Sequence, residues 1–113
     1  ILIPAKVTGE NSLENDDLGT IKGNFIKHYP KGSDVQLLLQ PEDLEHDDKS
    51  NLKLEVVDRK FRGTNFIYTL KTQKKEFIPV LVESHHQHFH QKNEEFGIKT
   101  PINIDHLVCF KKK

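Results

Sequence analysis

Four histidines, His85, His86, His88 and His90, fall within six residues of a 113-residue chain. In an extended strand His86, His88 and His90 share one face. Neutral imidazoles at alternate strand positions can chelate zinc, copper or nickel. Iron(III) prefers harder oxygen donors, so these three alone make a poor ferric site. His106 and Cys109, near the last strand, are candidate extra ligands. The same tract also fits a polar, half-exposed loop whose histidines hydrogen-bond or pack, and a histidine-rich composition favours that plainer outcome.

Other reactive residues point to less. Cys109 as a nucleophile needs a positioned base and an activating environment. Flanked by Val108 and Phe110 in a strand, it reads as a small buried hydrophobe. Glu42, Asp43, Glu45, Asp47 and Asp48 form an acidic run without the spaced pattern of a calcium loop, and read as a solvated loop. Arg59, Lys60 and Arg62 surround Phe61, a basic-aromatic mix that could meet single-stranded nucleic acid through stacking and phosphate contacts. Phe61 reads as core, with Arg59 and Arg62 pairing with acids or another subunit. No G-x-x-x-x-G-K-[ST] loop is present, so this chain carries no phosphate cradle for ATP.

The elements that must hold these residues read as strands. In residues 35–72, Val35, Leu37 and Leu39 alternate with Gln36 and Leu38, and Pro41 then removes a donor and ends the pairing. Leu52, Leu54 and Val56 alternate until the apolar phase slips to Val57 and Phe61, which predicts a β-bulge near Val56–Val57. Gly63–Thr64–Asn65 is a turn, and Phe66, Tyr68 and Leu70 start the return strand. Residues 1–8 read as a strand with Pro4 at an edge. Residues 9–17 read as a polar turn. Gly19 and Gly23 mark bends or close backbone approaches. Residues 28–33 and 73–76 are loops, residues 41–44 one helical turn, and residues 77–82 an apolar strand put at an edge or bulge by Pro79. Residues 96–99 and 105–110 are the last strands. No 3.6-residue period occurs. Seven or eight short strands with close turn signals give an all-β fold, and the glycine bends and bulges favour a small barrel.

Composition bounds the partners. Seventeen basic and seventeen acidic residues cancel, and 35% of the chain is apolar. The core is thin, and neutrality gives no electrostatic reason to expect nucleic acid. No run approaches membrane length. One cysteine excludes an internal disulfide. The chain starts at Ile1 and lacks methionine, so it is expected to be a fragment of a longer protein.

LLLQPEDL, with VVDRKFRGTNFIYTL after it, resembles the (I/V)RPEDL signature and following segment of TOBE domains, the small β modules at the C-terminus of ABC-importer ATPase subunits. SHHQHFHQKNEEFGIK and DHLVCF are similar to the end of that domain in ferric-iron importer ATPases. The resemblance covers nearly the whole chain, most weakly over residues 8–34. Gln40 stands where the family usually has Arg, which removes the cation for any salt bridge made there. The resemblance implies an OB-like barrel, in one or two closely joined β lobes, spanning residues 1–113 of a longer ATPase whose nucleotide-binding domain is absent. It implies no chemistry and no cofactor in this chain, with ATP and magnesium held in the missing domain. It implies pairing with a second copy, permease contacts through the ATPase domain, no nucleic acid, no direct membrane insertion, and a cytoplasmic place at the inner face of the bacterial membrane. Candidate dimer residues are Phe66, Ile78, Val80, Val82 and Phe89. Two alternatives remain: a module sensing an oxyanion or metal, and a stand-alone OB-type binder of single-stranded nucleic acid.

Overall fold

The computed structural model describes residues 1–83 and 94–111. Ten strands and no helix occur among them: β1 (Leu2–Gly9), β2 (Ser12–Asn15), β3 (Gly19–Phe25), β4 (Asp34–Leu38), β5 (Lys53–Phe61), β6 (Asn65–Lys71), β7 (Phe77–Glu83), β8 (Glu95–Gly97), β9 (Ile102–Leu107) and β10 (Cys109–Lys111). The all-β expectation holds. No helix of the described residues is long and apolar enough to cross a membrane. The chain divides into two compact units, one of residues 1–39 with 101–113 and the other of residues 40–100.

The first unit is a six-stranded sheet in the order β10-β4-β1-β2-β3-β9. Only Val108 separates β9 from β10 in sequence, yet they lie at opposite ends of that order. One continuous segment therefore pairs with β3 at its start and with β4 at its end, and the sheet closes on itself. Every pair is antiparallel except β3 with β9. This is an OB-like barrel, and closure removes the exposed edges of an open sheet. The 105–110 strand of the sequence reading is thus two strands with different partners. Alternation fills the interior: Ile3, Val7, Leu13, Ile21, Val35, Leu37, Ile104 and Leu107 are buried, each contributing roughly 1.5–3 kcal/mol.

Two local expectations change here, and one at Gly23 holds. Pro4 lies in an interior strand, but β2 pairs with β1 only from Lys6 onward, so no ladder donor is needed from Pro4 on that side. Its carbonyl instead accepts the Asn15 side-chain amide at 2.8 Å. Residues 9–17 are not all turn, because Leu13 and Asn15 of β2 face the core. The Asn15 Oδ1 accepts the N–H groups of Asp17 and Leu18, both at 2.9 Å, which satisfies a buried amide. Gly23 is a close approach within a strand: a Cβ there would stand 1.9 Å from the Ile104 carbonyl oxygen.

The second unit is a four-stranded antiparallel sheet in the order β7-β6-β5-β8. The ladder between β5 and β6 shifts between Val56 and Asp58, the bulge expected from the apolar phase slip. Leu54, Val56, Tyr68, Leu70, Ile78, Val80, Phe96 and Ile98 are buried on one face, with Leu44 from the preceding segment. Tyr68 and Phe96 pack with ring centroids 5.0 Å apart.

Candidate functional site

Past Val56 the β5–β6 hairpin runs beyond the described residues of β8. Phe61 and Arg59 keep the phase of the buried face, since they pair with Phe66 and with the buried Tyr68. Phe61 was expected in the core, yet it is 61% exposed. Described β8 pairs with β5 only at Lys53, Leu54 and Glu55, and the Glu94 carbonyl accepts the Val56 N–H at 2.9 Å. Beyond Val56 no described strand lies on that side of β5. The Phe61 ring meets Phe66 at 5.0 Å, and the Arg59 guanidinium sits 5.4 Å over the Phe66 ring, a cation–π contact. Lys60 and Arg62 are exposed on the same ribbon.

Backbone alternation sets which groups face away from β6. Arg62 donates its N–H to the Asn65 carbonyl at 2.7 Å, closing the turn at Gly63, whose φ is 80°. The Arg62–Asn65 pair is hydrogen-bonded, so the next pair, Phe61–Phe66, is not. The N–H and C=O of Phe61 therefore point away from β6.

The two outer strands of this sheet, β7 and β8, meet other segments of the chain. Pro79 lies on β7 opposite Thr69 and has no N–H, while Leu81 donates its N–H to the Pro41 carbonyl at 2.8 Å. The edge position expected for Pro79 holds. Across β8, Asp47 donates to the Gly97 carbonyl at 2.9 Å and Lys99 to the Glu45 carbonyl at 2.8 Å. Gly97 permits this crossing, since a Cβ there would stand 2.1 Å from the Asp47 carbonyl oxygen.

The acidic run is anchored rather than loose. The Asp43 carboxylate accepts the Gln40 N–H at 2.8 Å, and the Asp43 N–H donates back to the Gln40 carbonyl at 3.0 Å. Burial raises the Asp43 pKa and the Glu42 charge adds to this, against the lowering from the Gln40 hydrogen bond. His46 Nε2 lies 2.7 Å from Asp48 Oδ1, with its ring 4.5 Å from that of Phe96. The only sequence signal for this pair is a His two residues before an Asp and two after the apolar Leu44.

The remaining candidates separate. His85, His86, His88, His90 and Phe89 lie outside the described residues. Ile78, Val80 and Val82 cannot form an exposed patch: their relative exposures are 1%, 0% and 8%, and they are the inward phase of β7. The outward phase is Phe77, Pro79 and Leu81, and of these only Phe77 is exposed, at 54%. Phe66 is half-buried at the hairpin tip. Cys109 is half-buried, and burial pushes its thiol up to about 11, which leaves it protonated and a weak nucleophile at neutral pH. Its carbonyl accepts the Tyr29 hydroxyl at 2.9 Å. His106 is exposed on β9. Among the described residues no group of three or more His, Cys, Asp or Glu side chains is placed to hold a metal ion. A cleft of about 370 Å³ in the barrel unit is lined by Pro4, Lys6, Glu14, Asp16 and Asp34, where register sets Lys6 between Asp34 and Glu14.

The sequence model of one protein family, described as TOBE domain, matches residues 37–102, more than half of the chain. No curated protein matches the chain.

Proposed function

Because the chain belongs to the TOBE domain family, we propose that it is the C-terminal regulatory and dimerisation module of the ATP-binding subunit of an ABC importer, of the ferric-iron type. The family match over residues 37–102 carries this reading. The module does no chemistry. ATP and magnesium belong to a nucleotide-binding domain elsewhere in the parent protein, which docks on permease subunits at the cytoplasmic face of the membrane. The module pairs with its copy on the second ATPase subunit and keeps the two in register while the nucleotide-binding domains open and close. That work asks for rigid β-structure, and a closed barrel with a four-stranded sheet supplies it.

Sedimentation equilibrium over a wide concentration range tests the reading, with calorimetric titrations of ferric citrate, molybdate, zinc and copper beside it. Reversible dimers and silent titrations are the expected result. A monomer at the highest concentration overturns the scaffold role, and heat with a defined stoichiometry replaces it with ligand sensing.

A further inference from the structure

We propose that residues 40–44 are a latch on the outer edge of β7, closed by the Pro41 carbonyl on the Leu81 N–H and set by the Asp43 carboxyl, and that its release opens this edge to a strand of a second copy. This device goes beyond the scaffold reading and does not depend on it.

Geometry carries it. The latch is a turn held twice at its base: Asp43 accepts the Gln40 N–H at 2.8 Å and donates its own N–H to the Gln40 carbonyl at 3.0 Å. Leu44 pins the far end of the turn and is 2% exposed. Between these two anchors the Pro41 carbonyl accepts the Leu81 N–H at 2.8 Å. This is one bond from a turn, whereas β7 meets β6 along a ladder from Phe77 to Glu83. Two residues before Leu81, Pro79 has no N–H to offer, so Leu81 is the donor that the latch takes from the edge. A strand edge whose donor is released is a template for another strand.

Asp43 makes the latch responsive to pH. Burial raises its pKa from the ordinary value of 3.8, the Gln40 hydrogen bond lowers it, and the Glu42 charge raises it again, with a net rise. Glu42 is the charge that acts on it. The outward phase of β7 brings Phe77, Pro79 and Leu81 to this side, with Glu83 as its charged member. The raised value belongs to the closed latch, so the protonated carboxyl favours closure. That contribution is whole below 3.8 and is lost as pH rises through the raised value. The latch is therefore tightest in acid and looser above the Asp43 titration.

The test is hydrogen exchange in the 113-residue chain, read by NMR as protection factors, which divide out the intrinsic pH dependence of exchange. Leu81 is compared with Val80, whose N–H alternation turns toward β6. Protection at Leu81 falls as pH rises through the Asp43 titration, while protection at Val80 holds. Asp43→Asn keeps an acceptor for the Gln40 N–H without the charge, and makes Leu81 protection flat with pH. Asp43→Ala removes the acceptor, lowers Leu81 protection by at least about tenfold, and associates with concentration in sedimentation equilibrium at matched circular dichroism. Leu81 tracking Val80 across the pH series and in every variant overturns the inference. So does lost protection at Leu81 with no association. The wild-type pH series and Asp43→Asn decide the matter even where Asp43→Ala does not fold.

Discussion

At the scale of single residues the tightest constraint is Gly23. The parallel β3–β9 pair brings the Ile104 carbonyl oxygen to 1.9 Å and a Leu107 side-chain carbon to 3.0 Å from where a Cβ would stand. The first of these is backbone in a closed barrel and cannot step aside without breaking the ladder. Gly23→Ala should therefore destabilise the protein by about 1–3 kcal/mol or prevent folding, the range for overfilling a packed site. Urea unfolding followed by circular dichroism measures this. Gly19→Ala is the control: nothing lies within 4 Å of its would-be Cβ, and only its φ of 78° opposes the change.

Cys109 gives a second residue-scale prediction. Burial raises its thiol to about 11 in the fold, while an unfolded thiol titrates near about 8.5. The protonated form is favoured by folding, so this contribution to stability is whole below about pH 8.5 and is lost as pH rises toward about 11. Alkylation by iodoacetamide should be slow at pH 7.5 and climb through pH 10 in the native protein. Stability should fall over the same window, and Cys109→Ala should flatten that part of the profile. A native thiol that reacts at the rate of an unfolded one at pH 7.5 contradicts the assignment.

At the scale of elements, Pro79 is the piece whose position decides behaviour in solution. Its nitrogen faces outward from β7, since Leu81, two residues on, turns its N–H away from β6 to Pro41. Pro79→Val would add an outward donor to an edge strand without disturbing the pairing with Thr69. The variant should fold at least as stably, because valine suits a strand, but should aggregate with concentration as edges pair. Light scattering at matched circular dichroism separates the two effects.

The same strand shows what the sequence could and could not disclose. Proline marked the edge through its missing donor, which is a property of one residue. FIPVLV is apolar throughout, so its pattern carries no phase, and nothing in it tells that Ile78, Val80 and Val82 face inward. In β5 the apolar residues alternate and then slip at Val56–Val57, and there the pattern did locate the bulge. Phe61 has the phase of the buried face and is still exposed, because phase alone does not fix burial. β9 and β10 read as one strand because a change of partner at Val108 leaves no mark in local alternation. β2 was missed because Leu13 is its one apolar residue, and its identity as a strand comes from pairing with β1 and β3.

At the scale of the molecule the connectivity is nested. The chain leaves the barrel unit after β4, builds the whole second unit, and returns as β9 and β10 to close the barrel. The two units therefore make different demands on folding. Residues 40–100 are continuous, their strands pair mainly with sequence neighbours, and β5 meets β6 across a short turn. The barrel must bring residues 102–111 back to β3 and β4 across the entire insertion, a closure of long chain separation that costs entropy before it gains contacts. Residues 40–100 expressed alone should give a β-type circular dichroism spectrum and a cooperative urea transition. Residues 1–39 should need residues 101–113, supplied through a flexible linker, before any cooperative transition appears. Stopped-flow refolding of the full chain should then show the Tyr68 environment forming before that of Tyr29, whose hydroxyl waits for the Cys109 carbonyl on β10. Variants Tyr29→Phe and Tyr68→Phe assign the two fluorescence phases. Simultaneous formation of both environments would mean that the insertion folds only with the barrel that carries it.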